Sequence, residues 1–337
     1  MKKISTLLFI LLSFALIIGG VYYAIAKTNL TIADAVEFLS ISKGVLAAFI
    51  SLSLVLYALD SFRYTLVGKV LGVKISFLQG LELSIINFFF SWISPWGLLG
   101  PTATAYYLRK LQVPVSKGVV FSFAKSFTGV FLLLLVAIVA ASLSSNNLAS
   151  SPFVMSTIYS SIAFFTIFFG VSSFIAVKLE WINKVDTWAT SLRDKSFLEK
   201  GLGVGLRSLS KLAAQIHEIL QAGTKGLLLI VFSHLVYIFV LISALVFILF
   251  IIGGATDLNV ISPAIVHLTL SYIAPTPNGA GISEMLIHQF FDPYMPYNRA
   301  VVAIIFFRSI TFYLQIVIGL SYMLIRARSL LFPRGES

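Results

Sequence analysis

Apolar residues run along this chain in blocks too long for the core of a water-soluble domain. Six stretches, 4–26, 44–67, 118–142, 154–177, 226–252 and 300–325, each match the ~20 residues needed to cross a bilayer. Each predicts a full transmembrane helix. Two more apolar stretches, 77–110 and 259–291, are interrupted by clusters of proline and glycine. Proline removes a backbone donor and glycine loosens a helix, so neither reads as one continuous span. Each predicts a re-entrant hairpin, entering and leaving the membrane by the same face. The polar connection 178–225 carries Leu206, Leu209, Leu212, Ile216 and Ile219 at helical spacing, with Arg207, Lys211 and Glu218 among them. That pattern predicts an amphipathic helix lying along the membrane surface. The fold class is all-α and polytopic.

Composition agrees: 58% of residues are hydrophobic, 11% are charged and the mean hydropathy is +0.98. The first residues, with Lys2, Lys3 and Ala24-x-Ala26, imitate a secretory signal. The apolar run there exceeds the ~7–15 residues of a signal core, so it reads as a retained first span. Cysteine is absent, which excludes disulfides and thiolate metal sites. The net charge of +11 would suit nucleic acid, but its distribution has a simpler cause. With six spans and both termini inside, the inner face receives all 24 Lys and Arg residues except Lys27, Lys43, Arg299, Lys125 and Arg308. This is the positive-inside bias, with anionic lipid as the partner of the basic face. The expectation is an inner (cytoplasmic) membrane protein that binds no nucleic acid.

The broken stretches resemble each other. "FSWISPWGLLG" (90–100) aligns with "LSYIAPTPNGAG" (270–281), pairing Ser91 with Ser271, Ile93 with Ile273 and Pro95 with Pro275. "FAKSFT" (123–128) aligns with "FFRSIT" (306–311), which sets Lys125 opposite Arg308. Upstream, Ser53 and Tyr57 match Ser233 and Tyr237. The chain divides into a first membrane repeat, 1–150, and a second, 151–337. Span 44–67 runs inward and 226–252 outward, so the repeat is inverted. Paired Pro/Gly-broken segments in corresponding positions point to a transporter's binding site.

Irregular backbone at membrane depth is tolerated only beside protein or a watery cavity. The hairpin tips supply Pro95, Gly97, Gly100, Pro275, Pro277, Gly279 and Gly281, where half-helix N-termini would offer free N–H groups to an anion. Lys125 and Arg308 lie deep in their spans, where a charge costs kcal/mol and marks a functional candidate. They suit a phosphate or carboxylate at a common centre. The competing reading makes them struts, Arg308 with Glu284, and Lys125 with Glu82 or a helix-end carbonyl. Asn87 and His267 align on the hairpin arms as packed polar residues or outer-layer site residues. No phosphate loop, zinc-protease motif or clustered metal set occurs, so no catalytic residue, metal or cofactor is expected.

At these residues the chain resembles the flippase-like membrane-domain family of lysylphosphatidylglycerol synthases, which includes the membrane half of the multiple peptide resistance factor. The resemblance rests on Pro275-x-Pro277-x-Gly279-x-Gly281-x-x-Glu284 and Arg308, with Pro95…Gly100 and "YLRKLQVPVSKG" (107–118) in support. It spans essentially the whole chain and implies the stand-alone form, without the aminoacyl-transferase domain. Thr102-Ala103-Thr104 stands where relatives often carry a charge, which leaves the headgroup open. The implied function is translocation of a phospholipid or polyprenyl-phosphate lipid, with Glu284 contacting an amine or holding Arg308. The alternative is an accessory subunit presenting lipid to a separate glycosyl- or aminoacyl-transferase. Candidate protein partners are a second copy of the chain or that enzyme.

Overall fold

The computed structural model describes residues 43–94, 97, 99–143, 179–191, 223–274 and 276–331, with single residues at 22 and between 156 and 217. Nearly all of predicted spans 4–26 and 154–177, much of connection 178–225, Pro95 and Pro275 lie outside the described residues. The helices are α1 (Lys43–Val70), α2 (Phe77–Trp92), α3 (Leu99–Lys110), α4 (Val115–Leu143), α5 (Leu179–Ser191) and α6 (Gly223–Ile251). They continue with α7 (Ile261–Ile273), α8 (Ile282–Met285), α9 (Ile287–Phe291), α10 (Tyr297–Arg308) and α11 (Leu314–Leu331). A π-helical turn, Ser309–Tyr313, joins α10 to α11. Among the described residues the regular elements are all helices, with no strand. Four helical runs there, Ile50–Val70, Lys117–Leu143, Gly223–Ile251 and Tyr297–Arg326, are long and apolar enough to cross a membrane. They coincide with four of the six predicted spans.

Local chemistry sets the helix ends. Ser76 and Gln79 form a reciprocal capping box at the start of α2, satisfying two otherwise orphaned N–H groups. Pro101 and Pro263 sit in the first turns of α3 and α7, where a missing N–H costs nothing. Gly254, at φ +70°, turns the chain after α6.

The polarity of α6 is inverted relative to a soluble helix. Ser233, His234 and Tyr237 face the interior, whereas Phe232 and Phe239 are 65% and 71% exposed. Large apolar side chains facing outward along a span have lipid as their natural solvent.

The order long helix, broken helical pair, long helix occurs twice: α1, α2/α3, α4, then α6, α7/α8–α9, α10–α11. Contacts between the two sets are reciprocal. The long helices α1 and α6 pack together, α2 packs against α11, and α7 packs against α4. Trp92 at the end of α2 and Tyr272 near the end of α7 occupy matching places and meet edge to face, centroids 5.7 Å apart. The helical arms are short: at 1.5 Å per residue α2, α3 and α7 reach only ~24, ~18 and ~20 Å, against a ~30 Å hydrocarbon core.

Candidate functional site: two buried charge clusters at the hairpins

In the second hairpin, α7 stops where Ala274 turns extended ahead of the proline cluster. Asn278, Gly279 and Gly281 then take left-handed φ of 45°, 68° and 83°, a region open to glycine and accessible to asparagine. Gly279 also permits close packing of the two arms, since a Cβ there would lie 2.8 Å from the Ser271 Cα. At Gly281 a Cβ would meet open space. Pro277 is buried under the turn. The expected free N–H at the tip is already taken: Gly281 N–H donates to Glu284 Oε2 at 2.8 Å. The following helix has only four residues, so its dipole is small. Glu284, 1% exposed, takes the position expected for an anion.

Arg308, 4% exposed, approaches the same carboxylate from α10. Its Nε lies 3.2 Å from Glu284 Oε1, close enough for an ion pair but not aligned for a hydrogen bond. Among the described residues Nε and a terminal guanidinium nitrogen have no hydrogen-bond partner, and the guanidinium carbon stands 5.2 Å from the Phe312 ring centre. Five fixed donors cannot be met by one carboxylate whose other oxygen already accepts from a backbone N–H. The π-helical turn follows immediately, and such turns recur at functional sites.

Arg308 faces a small cavity whose wall includes Trp92 from the first hairpin and His267, Ser271 and Tyr272 from α7, with Thr311 beside it. Its volume is about 20 Å³, against the ~10–15 Å³ a single water requires. As it stands the cavity suits a water and excludes a headgroup. Trp92 is fixed by donating Nε1–H to Gln315 at 2.5 Å and by an edge contact with Phe312. His267 donates Nε2–H to the Ser283 carbonyl at 2.8 Å, bracing one arm of the hairpin against the other.

The first hairpin is braced likewise. A Cβ on Gly100 would stand 2.7 Å from the Asn87 carbonyl, so the arms close over a glycine. Ser94 caps the start of α3 by accepting from Leu99 N–H at 3.2 Å, and Ser91 donates to the Gly97 carbonyl. Gly97 has φ +65°. Asn87 Oδ1 is buried without a partner.

Lys125 belongs to a different cluster and does not line the Arg308 cavity. Its Nζ lies 2.9 Å from both oxygens of Asp60, and Arg63 NH1 lies 2.9 Å from Asp60 Oδ1. Aromatic faces enclose the cations: Lys125 sits 4.4 Å from the Tyr64 ring centre, and Arg63 4.4 Å from that of Tyr237. The expected partner Glu82 instead meets Arg326 at 3.2 Å on the exposed side of α2. Neither Asp60 nor Arg63 is among the site residues that the sequence predicts, and its charge pattern places Arg63 on the basic inner face. Both are buried, at 0% and 6% exposure. The available signal was an aspartate well inside an apolar run, with an arginine three residues on.

Among the described residues no group of three or more His, Asp or Glu side chains is placed to hold a metal. The model of the lysylphosphatidylglycerol synthase TM region matches residues 10–319. No curated protein and no solved structure matches the chain.

Proposed function

We propose that this chain, which belongs to the lysylphosphatidylglycerol synthase TM region family, carries a phosphate-bearing lipid headgroup across the bilayer. The family and the apolar helices make it a multi-pass membrane protein with a lipid-related role. Transport is the finer reading. The observation that carries it is Arg308, a buried guanidinium with unused donors beside a cavity between the two sets of helices. A phosphate accepts from a guanidinium through two parallel bonds, which Glu284 does not supply.

Three features support an alternating mechanism. Helical arms too short to span suit re-entrant hairpins, the reciprocal packing suits a two-fold pseudo-symmetry, and the distribution of Lys and Arg suits opposite orientations of the halves. The present cavity is then a closed state. Opening parts Trp92 from Tyr272, and the phosphate displaces Glu284 from Arg308 while the lipid tails stay in the bilayer. Gly281, Gly279, Pro277 and Pro275 shape the approach from one side, and Pro95, Gly97 and Gly100 from the other. The cytoplasmic membrane is the proposed location, and no chemical step is assigned to the protein.

A photoreactive group near the phosphate of a phospholipid tests the site. Irradiation of the reconstituted protein is expected to label peptides containing Tyr272, Arg308 or Thr311. Labelling confined to outward-facing residues such as Phe232 and Phe239 removes the cavity from the lipid's path.

A further inference from the structure

The first cluster does not balance its charge. Asp60, Arg63 and Lys125 are 0%, 6% and 3% exposed, and one carboxylate serves two cations. A structural ion pair does not require Arg63, because Lys125 alone neutralises Asp60. An excess positive charge held out of water is costly unless an anion or further acceptors meet it.

Unused polar atoms lie on the helix that carries two of these charges. Among the described residues, Arg63 Nε, Tyr57 OH and Ser53 Oγ are all buried without a hydrogen-bond partner. Ser53, Tyr57 and Asp60 follow at spacings of four and three along α1, which places them on one helix face. Most buried hydroxyls in native proteins are paired, so two unpaired ones on the face that carries the charges need an explanation. His234 brings no acceptor to the cations: its Nε2 lies 2.7 Å from the Lys125 carbonyl and its Nδ1 2.8 Å from that of Ile230. Gly129 leaves room on α4 for the arginine, since a Cβ there would come within 3.1 Å of Arg63 NH2.

We infer that Arg63 and Lys125, with the hydroxyls of Tyr57 and Ser53, form a second binding site, selective for a phosphate oxyanion and separate from the Arg308 cavity. Asp60 holds the two cations while the site is empty. On binding, the oxyanion accepts from Arg63 Nε and the two hydroxyls and neutralises the excess charge, with Asp60 still bridging the cations. The phosphate comes from a lipid headgroup or from solution, and its chemistry at the site is the same. The inference does not depend on transport.

Thermal unfolding of the full chain in detergent tests it, with added inorganic phosphate, dimethyl phosphate or a short-chain phosphatidylglycerol. Wild type and Arg308→Gln are expected to be stabilised by at least one of these, at similar midpoint concentrations. Arg63→Gln leaves Asp60 and Lys125 as a balanced pair, so it is expected to unfold no earlier than wild type without anion. Its anion response is expected to weaken about tenfold or more, since a charge-assisted hydrogen bond contributes ~1.5–3 kcal/mol. Response to inorganic phosphate identifies a free oxyanion as a ligand, and response to the lipid alone identifies a headgroup. No response to any probe in wild type overturns the inference. So does a response kept in Arg63→Gln and lost in Arg308→Gln, which leaves the Arg308 reading standing.

Discussion

Replacing Arg308 by alanine strands Glu284 at 1% exposure with one remaining hydrogen bond, from Gly281 N–H. Breaking a buried ion pair by removing one partner typically costs ~3–5 kcal/mol. Here the lower part of that range is expected. The 3.2 Å contact is not an aligned hydrogen bond, and the retained Gly281 bond keeps the carboxylate partly satisfied. Arg308→Ala should therefore cost about 3 kcal/mol. Arg308→Ala/Glu284→Gln should recover most of that, because a neutral amide oxygen can still accept from Gly281 N–H. Denaturation in detergent measures the stability, and a headgroup-labelled phospholipid in proteoliposomes measures transport. If Arg308 binds phosphate, the double variant is stable and silent. If Arg308 only braces Glu284, the double variant regains transport along with stability, and that result refutes the reasoning.

Arg308→Lys keeps the charge without the planar fork, so transport is expected to fall well below wild type yet exceed that of Arg308→Ala in the same vesicles. Gly279→Ala is expected to destabilise the second hairpin by ~1–3 kcal/mol, read as a lowered unfolding midpoint, because the new Cβ meets Ser271 backbone. Glu82→Gln removes a pair whose partner Arg326 is half exposed, so denaturation should show a change within ~1 kcal/mol. Because the chain has no cysteine, single cysteines at Ser145 and Ser196 report topology cleanly. An impermeant reagent should label the first only from outside and the second only from inside, and labelling of both from one face contradicts the six-span arrangement.

The broken hairpins were legible because proline and glycine interrupt apolar runs too plainly to be missed. Lys125 and Arg308 were legible as charges deep inside such runs. Their surroundings were not. Period and hydropathy place residues along a helix but do not show which distant helix supplies a partner, so Asp60 went unseen beneath Lys125 and Arg326 beside Glu82. The burial of Arg63 was not legible, because a basic residue near a span's end ordinarily anchors at the interface. Here the i, i+3 contact with Asp60 and the Tyr237 ring hold it inside. The hairpin N-termini look like anion sites in sequence, yet Glu284 and Ser94 cap them from within the same hairpins. The π-helical turn after Arg308 has no counterpart in the hydrophobic pattern, which continues unbroken through it.

The most direct measurement reconstitutes the purified chain alone into liposomes holding a headgroup-labelled phospholipid and follows loss of the inner-leaflet label to an impermeant quencher. The label is expected to become fully accessible over time, with the lipid recovered chemically unchanged and Arg308→Ala vesicles matching protein-free ones. Accessibility in wild-type vesicles no greater than in protein-free ones, or a chemically altered lipid, contradicts transport through this site.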